Sequence, residues 1–149
     1  MEANMSSSLI PELDVEHLDA SLHFYVNVLG FRVMYERPED RFAFLERERV
    51  HLMLQEAAGP GRRFRTAVLE HPYGRGVNFQ IQIADVAQLY DTVCVSGCTI
   101  VIPLEERWYR MSEQVATGNR QFVVADPDGY LLRFFSELGR RTVDANSES

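Results

Sequence analysis

Val77-Asn78-Phe79-Gln80-Ile81-Gln82-Ile83 alternates apolar and neutral polar side chains without a break. A period of two is that of a β-strand. It puts Val77, Phe79, Ile81 and Ile83 on one face and Asn78, Gln80 and Gln82 on the other. The apolar face needs helices to cover it. The second face carries amides instead of the Lys and Glu of a bare solvent face. Two readings stay open: a concave, partly shielded surface where uncharged polar groups orient a ligand, or an exposed face that tolerates glutamine.

Outward from this strand, Val86, Leu89, Tyr90 and Val93 recur at helical spacing, predicting a helix over 86–95 that Gly97 ends. Strands are predicted at 99–103, extending toward Trp108, at 120–125 and at 130–135. The N-terminal half reads the same way. A strand at 9–15 leads to a helical stripe of Leu18, Leu22, Tyr25, Val26 and Leu29, closed by Gly30. Asp19 sits near its start, where an acid suits the helix dipole. Strands are predicted at 31–35, 42–45 and 50–54. Both halves therefore read β-α-β-β-β, which points to an internal duplication or to chance similarity of two α+β segments.

This divides the 149 residues into an N-terminal extension (1–8), a first module (9–56), a linker or lid (57–75), a second module (76–138) and a frayed tail (139–149). The connection carries Gly59-Pro60-Gly61, Pro72 and Gly74, with Arg62, Arg63, Arg65 and Arg75. It is a mobile lid or a solvated crossover loop.

Composition excludes several classes. Hydrophobic residues at 46% and charged residues at 25% are globular proportions. No apolar run approaches the roughly 20 residues that span a bilayer, so no membrane partner is expected. The N-terminus lacks a basic, apolar leader, so the expected compartment is cytoplasmic. Lys and Arg total 15 against 22 Asp and Glu, a net charge of −7. Such a chain, with no Lys/Arg cluster on an evident helix, is a poor nucleic-acid binder and favours cationic or neutral partners. Cys94 and Cys98 have no second ligand pair, which leaves them as small side chains at a helix end.

If each core face packs on helices, the second faces converge into a wall of Ile10, Glu12, His51, Met53, Gln55, Asn78, Gln80, Gln82, Arg133 and Phe135. That mixture of apolar and polar groups is ligand-pocket chemistry. Trp108 and Tyr109 either plug a core edge or stack on a planar ligand. Asp126-Pro127-Asp128-Gly129 is a turn by its chemistry. His17, His23 and His71 lack partners at ligand spacing and read as surface or capping residues. No nucleophile elbow, phosphate-cradling loop or His-Glu-x-x-His pattern occurs.

Leu13-x-Val15, Ser21-Leu22-His23-Phe24-Tyr25 and Leu29-Gly30-Phe31 resemble the opening of the glyoxalase I, bleomycin-resistance and extradiol dioxygenase (vicinal oxygen chelate) superfamily. Arg120-Gln121-Phe122 leading to Asp126-Pro127-Asp128-Gly129-Tyr130-Leu131-Leu132-Arg133-Phe134 resembles its ending. The resemblance covers roughly 9–138. It implies an α+β fold of two β-α-β-β-β modules forming a curved mixed sheet around a cavity, and a homodimer. Metal-dependent members place ligands at positions that look like Ile10, Met53, Asn78 and Arg133 here. Those side chains are poor ligands, and Glu12 with His51, the nearest replacements, make only two. The resemblance is therefore nearest to the metal-less bleomycin-resistance-like proteins, which sequester a drug.

The expected function is small-molecule binding of that type, with no catalytic residue, metal or cofactor. The expected ligand is cationic or aromatic. The expected contacts are Glu12, His51, Met53, Gln55, Asn78, Gln80, Gln82, Trp108, Tyr109, Arg133 and Phe135. On this reading Trp108→Ala weakens binding without unfolding the protein. The alternatives are a divergent metal-dependent lyase, isomerase or dioxygenase using Glu12 and His51, and a dimeric module that receives a peptide.

Overall fold

The computed structural model describes residues 7–143. The expected extension and tail reach residues 1–6 and 144–149, which lie outside the described residues. The chain forms two compact units. One comprises residues up to Val77 together with Asp126–Tyr130; the other comprises 78–125 and the residues from Leu131 onward.

In the first unit, β1 (Glu12–Val15) leads into α1 (Leu18–Leu22) and a π-helical turn (His23–Val28). Then follow β2 (Arg32–Arg37), β3 (Phe42–Arg47) and β4 (Val50–Glu56). The sheet order is β1-β4-β3-β2, with β1 parallel to β4 and the other neighbours antiparallel. Leu13, Val15, Ala43, Leu45, Leu52 and Leu54 bury the face that the helix covers. The predicted helical stripe shifts where the π turn begins. Leu29 N–H donates to Phe24 O at 3.0 Å, one residue beyond the usual α reach. The wider turn buries the adjacent Phe24 and Tyr25 together, while Leu22 and Val26 are only half-buried. Gly30, at φ +83°, supplies the left-handed turn into β2.

The second unit repeats the plan with β5 (Asn78–Gln82), α2 (Val86–Val95), β6 (Thr99–Arg110), β7 (Val115–Ala125) and β8 (Leu131–Thr142). Its order is β5-β8-β7-β6, and β5 runs parallel to β8. Asp85 caps α2 by accepting from Gln88 N–H at 3.0 Å. Ile81, Ile83, Val86, Leu89, Val93, Phe122, Val124, Leu132 and Phe134 form the core. The Phe122 and Phe134 rings stack with centroids 5.6 Å apart. Val77, read as core-facing, precedes β5 and is exposed. Residues 139–142, read as the start of a frayed tail, are instead the end of β8. Their backbone pairs with β7 through Val115–Thr142, and this pairing holds them.

The fold class is thus α+β, two four-stranded mixed sheets each built from one β-α-β-β-β module. Among the described residues no helix is long and apolar enough to cross a membrane. Cys94 and Cys98 are free, and burial pushes the Cys98 thiol up.

Candidate functional site

The second sheet carries a groove of about 450 Å³. Its walls are Asn78, Val101, Ile102, Glu105, Arg107, Tyr109, Gln121, Val123, Leu131 and Arg133. The strands place them by alternation. Phe122, Phe134 and Val124 face the helix, so Gln121, Val123 and Arg133 face away from it. Register sets Gln80 beside Arg133 and Val123 beside Arg133. The Arg133 guanidinium donates from Nη2 to Gln80 Oε1 at 2.5 Å and lies 5.9 Å from the Tyr109 ring centre. Gln121 is buried at 2% exposure. Its Nε2 donates to Glu105 Oε2 at 3.0 Å and to the Tyr109 hydroxyl at 2.5 Å. The carboxylate partner fixes which end of this amide is nitrogen. The ionisable lining is one carboxylate, Glu105, against two guanidiniums, Arg107 and Arg133. The groove is therefore locally positive in a chain of net charge −7.

Of the residues expected from sequence in this unit, Asn78, Tyr109 and Arg133 line the groove, and Gln80 holds Arg133. Gln82 and Phe135 pair one step further along β5 and β8 and do not line it. Trp108 lies on the opposite side of β6 from Tyr109. Its ring packs so closely on Gly118 that a Cβ there would fall 2.7 Å from it, and the Arg141 guanidinium sits 4.1 Å above its centre. Replacement Trp108→Ala is thus expected to lower stability by about 2 kcal/mol while leaving ligand affinity of the folded fraction unchanged. Denaturant titration and calorimetry on the same sample check this. Sequence reading missed Val101, Ile102, Glu105, Arg107, Gln121, Val123 and Leu131. The alternation of Gln121 and Val123 with Phe122 and Val124 was the available signal.

The first sheet presents a different surface. Register rows across it read Glu12–Met53–Phe44–Tyr35 and Asp14–Gln55–Phe42–Arg37. Tyr35 and Phe44 stack at 5.0 Å with planes 9° apart, and Arg37 lies 4.0 Å over the Phe42 ring. Gln55 is buried and donates to Asp14 Oδ1 at 3.1 Å. His51 is buried with both nitrogens engaged. Ser7 N–H donates to Nδ1 at 3.1 Å, so Nε2 carries the proton that meets Glu46 Oε2 at 2.9 Å. Arg32 and then His51 hold the Glu46 carboxyl below its ordinary range.

These contacts test the metal site that the superfamily implies. Of the four matching positions, Ile10 offers no donor, Met53 a thioether flanked by Glu12 and Phe44, Asn78 a lone amide, and Arg133 a cation. The alternative ligand His51 has no free lone pair. The residues present do not fit a divalent metal at those positions.

A separate cluster corrects the reading of His71 as partnerless. His71 Nε2 lies 3.3 Å from both Glu16 Oε2 and Asp128 Oδ1. Asp128 is buried and also accepts from Glu16 N–H at 2.9 Å. These groups tie the crossover segment to the turn at 126–130 within one unit. Arginines elsewhere in that segment are anchored as well. Arg65 donates to Asp14 Oδ1 at 2.9 Å and Ala57 O at 2.8 Å, and Arg63 donates to Glu56 O at 2.9 Å. Two of the arginines that marked a lid are therefore spent on local anchoring.

A duplicated β-α-β-β-β plan with a groove on one sheet face defines a class. The family model of the Glyoxalase/Bleomycin resistance protein/Dioxygenase superfamily matches residues 11–134, and the chain belongs to that superfamily. Bleomycin resistance proteins from Geobacillus stearothermophilus and Staphylococcus aureus are each 29% identical to it, over 87% of this chain and 96% of theirs. The fold is also similar to that of TioX from Micromonospora sp. ML1, with a TM-score of 0.70 and 23% identity over 89% of this chain and 100% of TioX. An integron cassette protein from V. cholerae aligns with a TM-score of 0.67 at 18% identity, over 91% and 98% of the two chains.

Proposed function

We propose that this chain binds a small molecule in the groove of its second sheet and holds it without transforming it, a sequestering role of the bleomycin-resistance type. The observation that carries the reading is the groove itself. It has the volume of a small-molecule site, apolar walls from Val101, Ile102, Val123 and Leu131, and a few convergent polar groups. The donor set at the superfamily's metal positions supports the non-catalytic half of the proposal. Lewis-acid polarisation of a substrate oxygen needs ligands that Met53 and Arg133 do not supply.

The test is equilibrium dialysis of the protein against bleomycin and a panel of aromatic acids and amines, with mass spectrometry of whatever is retained. At least one compound is expected to be held at one per chain and recovered at unchanged mass. Val123→Trp, which fills the groove from a position facing away from the core, is expected to abolish retention. A product of altered mass, retention that survives Val123→Trp, or no retained compound would each reject the proposal.

A further inference from the structure

Two polar atoms in the groove walls are buried and have no hydrogen-bond partner among the described residues: Gln121 Oε1 and Arg133 Nε. Buried polar groups are nearly always satisfied, because an orphan forfeits its hydration without compensation. Both atoms belong to side chains whose other ends are already held. Gln121 has spent both donors of its Nε2 on Glu105 and Tyr109. Arg133 has placed Nη2 on Gln80. The two orphans are of opposite kind, an acceptor on Gln121 and a charged donor on Arg133. They come from diagonal neighbours on β7 and β8, since Arg133 pairs with Val123, two residues from Gln121. Such diagonal positions lie about 7 Å apart.

The charge of the lining points the same way. Glu105 keeps its charge but has one oxygen held by the neutral Gln121 amide, whereas Arg107 is exposed and forms no ion pair among the described residues. Net charge suggested a cationic ligand for the whole chain, but the local field in this groove is that of two guanidiniums against one engaged carboxylate. Guanidinium–carboxylate contacts are charge-assisted and well suited to a planar anion.

We propose that the groove takes an aromatic weak acid whose anionic end lies against Arg133 and Arg107 and whose own hydrogen-bond donor, about one ring away, meets Gln121 Oε1. The aromatic body then lies against Tyr109, Ile102, Val123 and Leu131. This inference rests on the small-molecule reading above and narrows it to a ligand class.

The experiment is calorimetric titration with indole-3-acetate, tryptamine and naphthalene-1-acetate. The first has the acid and the N–H donor. The second reverses the charge on the same ring, and the third keeps the acid without the donor. Indole-3-acetate is expected to bind about tenfold more tightly than either, with an affinity that falls as salt rises. Arg133→Gln and, independently, the exposed Arg107→Gln are expected to weaken indole-3-acetate and leave indole-3-acetamide nearly unchanged. Because Arg107 has no ion-pair partner among the described residues, its variant reports charge recognition even if Arg133→Gln fails to fold. Equal or tighter binding of tryptamine would overturn the acid assignment and leave the small-molecule reading standing. Equal binding of naphthalene-1-acetate would overturn the donor to Gln121. Failure of all three to bind would overturn the aromatic-acid assignment, and a compound retained in the dialysis and lost in Val123→Trp would still leave the small-molecule reading standing.

Discussion

Gly74→Ala is expected to destabilise the protein by about 3 kcal/mol, the upper end of the usual cost of overpacking, and to lower Tm by about 10 °C. Gly74 is buried where the crossover segment passes the turn at 126–130. A Cβ built on it would lie 2.3 Å from Tyr130 N and 2.6 Å from the Gly129 carbonyl carbon. Both are backbone atoms, which cannot swing aside as a long side chain would. The two segments must separate, and the Gly74 N–H bond to Asp128 O, 2.9 Å long, is lost with them. Asp128 then shifts away from Glu16 and His71. Gly76→Ala provides the control. Gly76 has φ +77° but open space around its Cβ position, so only conformational strain of about 1 kcal/mol is expected. Thermal unfolding of both variants checks the argument, which fails if the two lose equal stability.

The second large effect is a pH dependence centred on Asp126. This carboxyl is 5% exposed and accepts from Tyr25 OH at 2.6 Å and from the N–H groups of Asp128 and Tyr130, each at 2.9 Å. Burial outweighs those three donors and pushes its pKa from 3.8 up to about 6. An acid with a raised pKa is bound more tightly to its proton in the folded state than in the unfolded one. Its stabilising contribution is full below the unfolded pKa and disappears as pH rises through the folded pKa. Between pH 4 and pH 7 the loss is about 2 kcal/mol.

Glu46 and Glu56 oppose this trend. Arg32 lowers the first and Arg41 the second, so their contributions are present at neutral pH and vanish in acid. The difference between wild type and Asp126→Asn isolates the Asp126 part. That difference should move by about 2 kcal/mol in favour of the variant as pH goes from 4 to 7. Urea unfolding at a series of pH values measures it, and a flat difference would show that the three donors hold Asp126 ionised throughout.

Alternation in 77–83, the helical stripe at 86–95, and glycines at 30 and 97 were enough to read both β-α-β-β-β modules. These signals are local, since they depend on residues two to four positions apart. The helix at 86–95 came out at the predicted bounds. The N-terminal stripe also forms helix, over 18–28, but its second half is π-helical, a change of winding that buries the adjacent Phe24 and Tyr25 together. The end of β8 was missed. Polar residues at 139–142 look like a tail until β7 supplies the partner backbone.

The candidate site was legible only in part. Asn78 and Arg133 could be assigned to a groove because strand alternation names a face, and Tyr109 only as one of an aromatic pair. Nothing in the sequence told Tyr109 from Trp108, or a free histidine from His51 with both nitrogens engaged. Those outcomes depend on cross-strand register and on which glycine lies under a ring, as Gly118 does under Trp108. The sign of charge in the groove likewise escaped composition. A net charge counts every residue equally, whereas the field a ligand meets is set by the few that the strands bring within hydrogen-bond reach. Chain periodicity thus determined the two modules and their inner and outer faces. Tertiary packing alone decided which outer-face groups are already satisfied and which, like Gln121 Oε1 and Arg133 Nε, still lack a partner among the described residues.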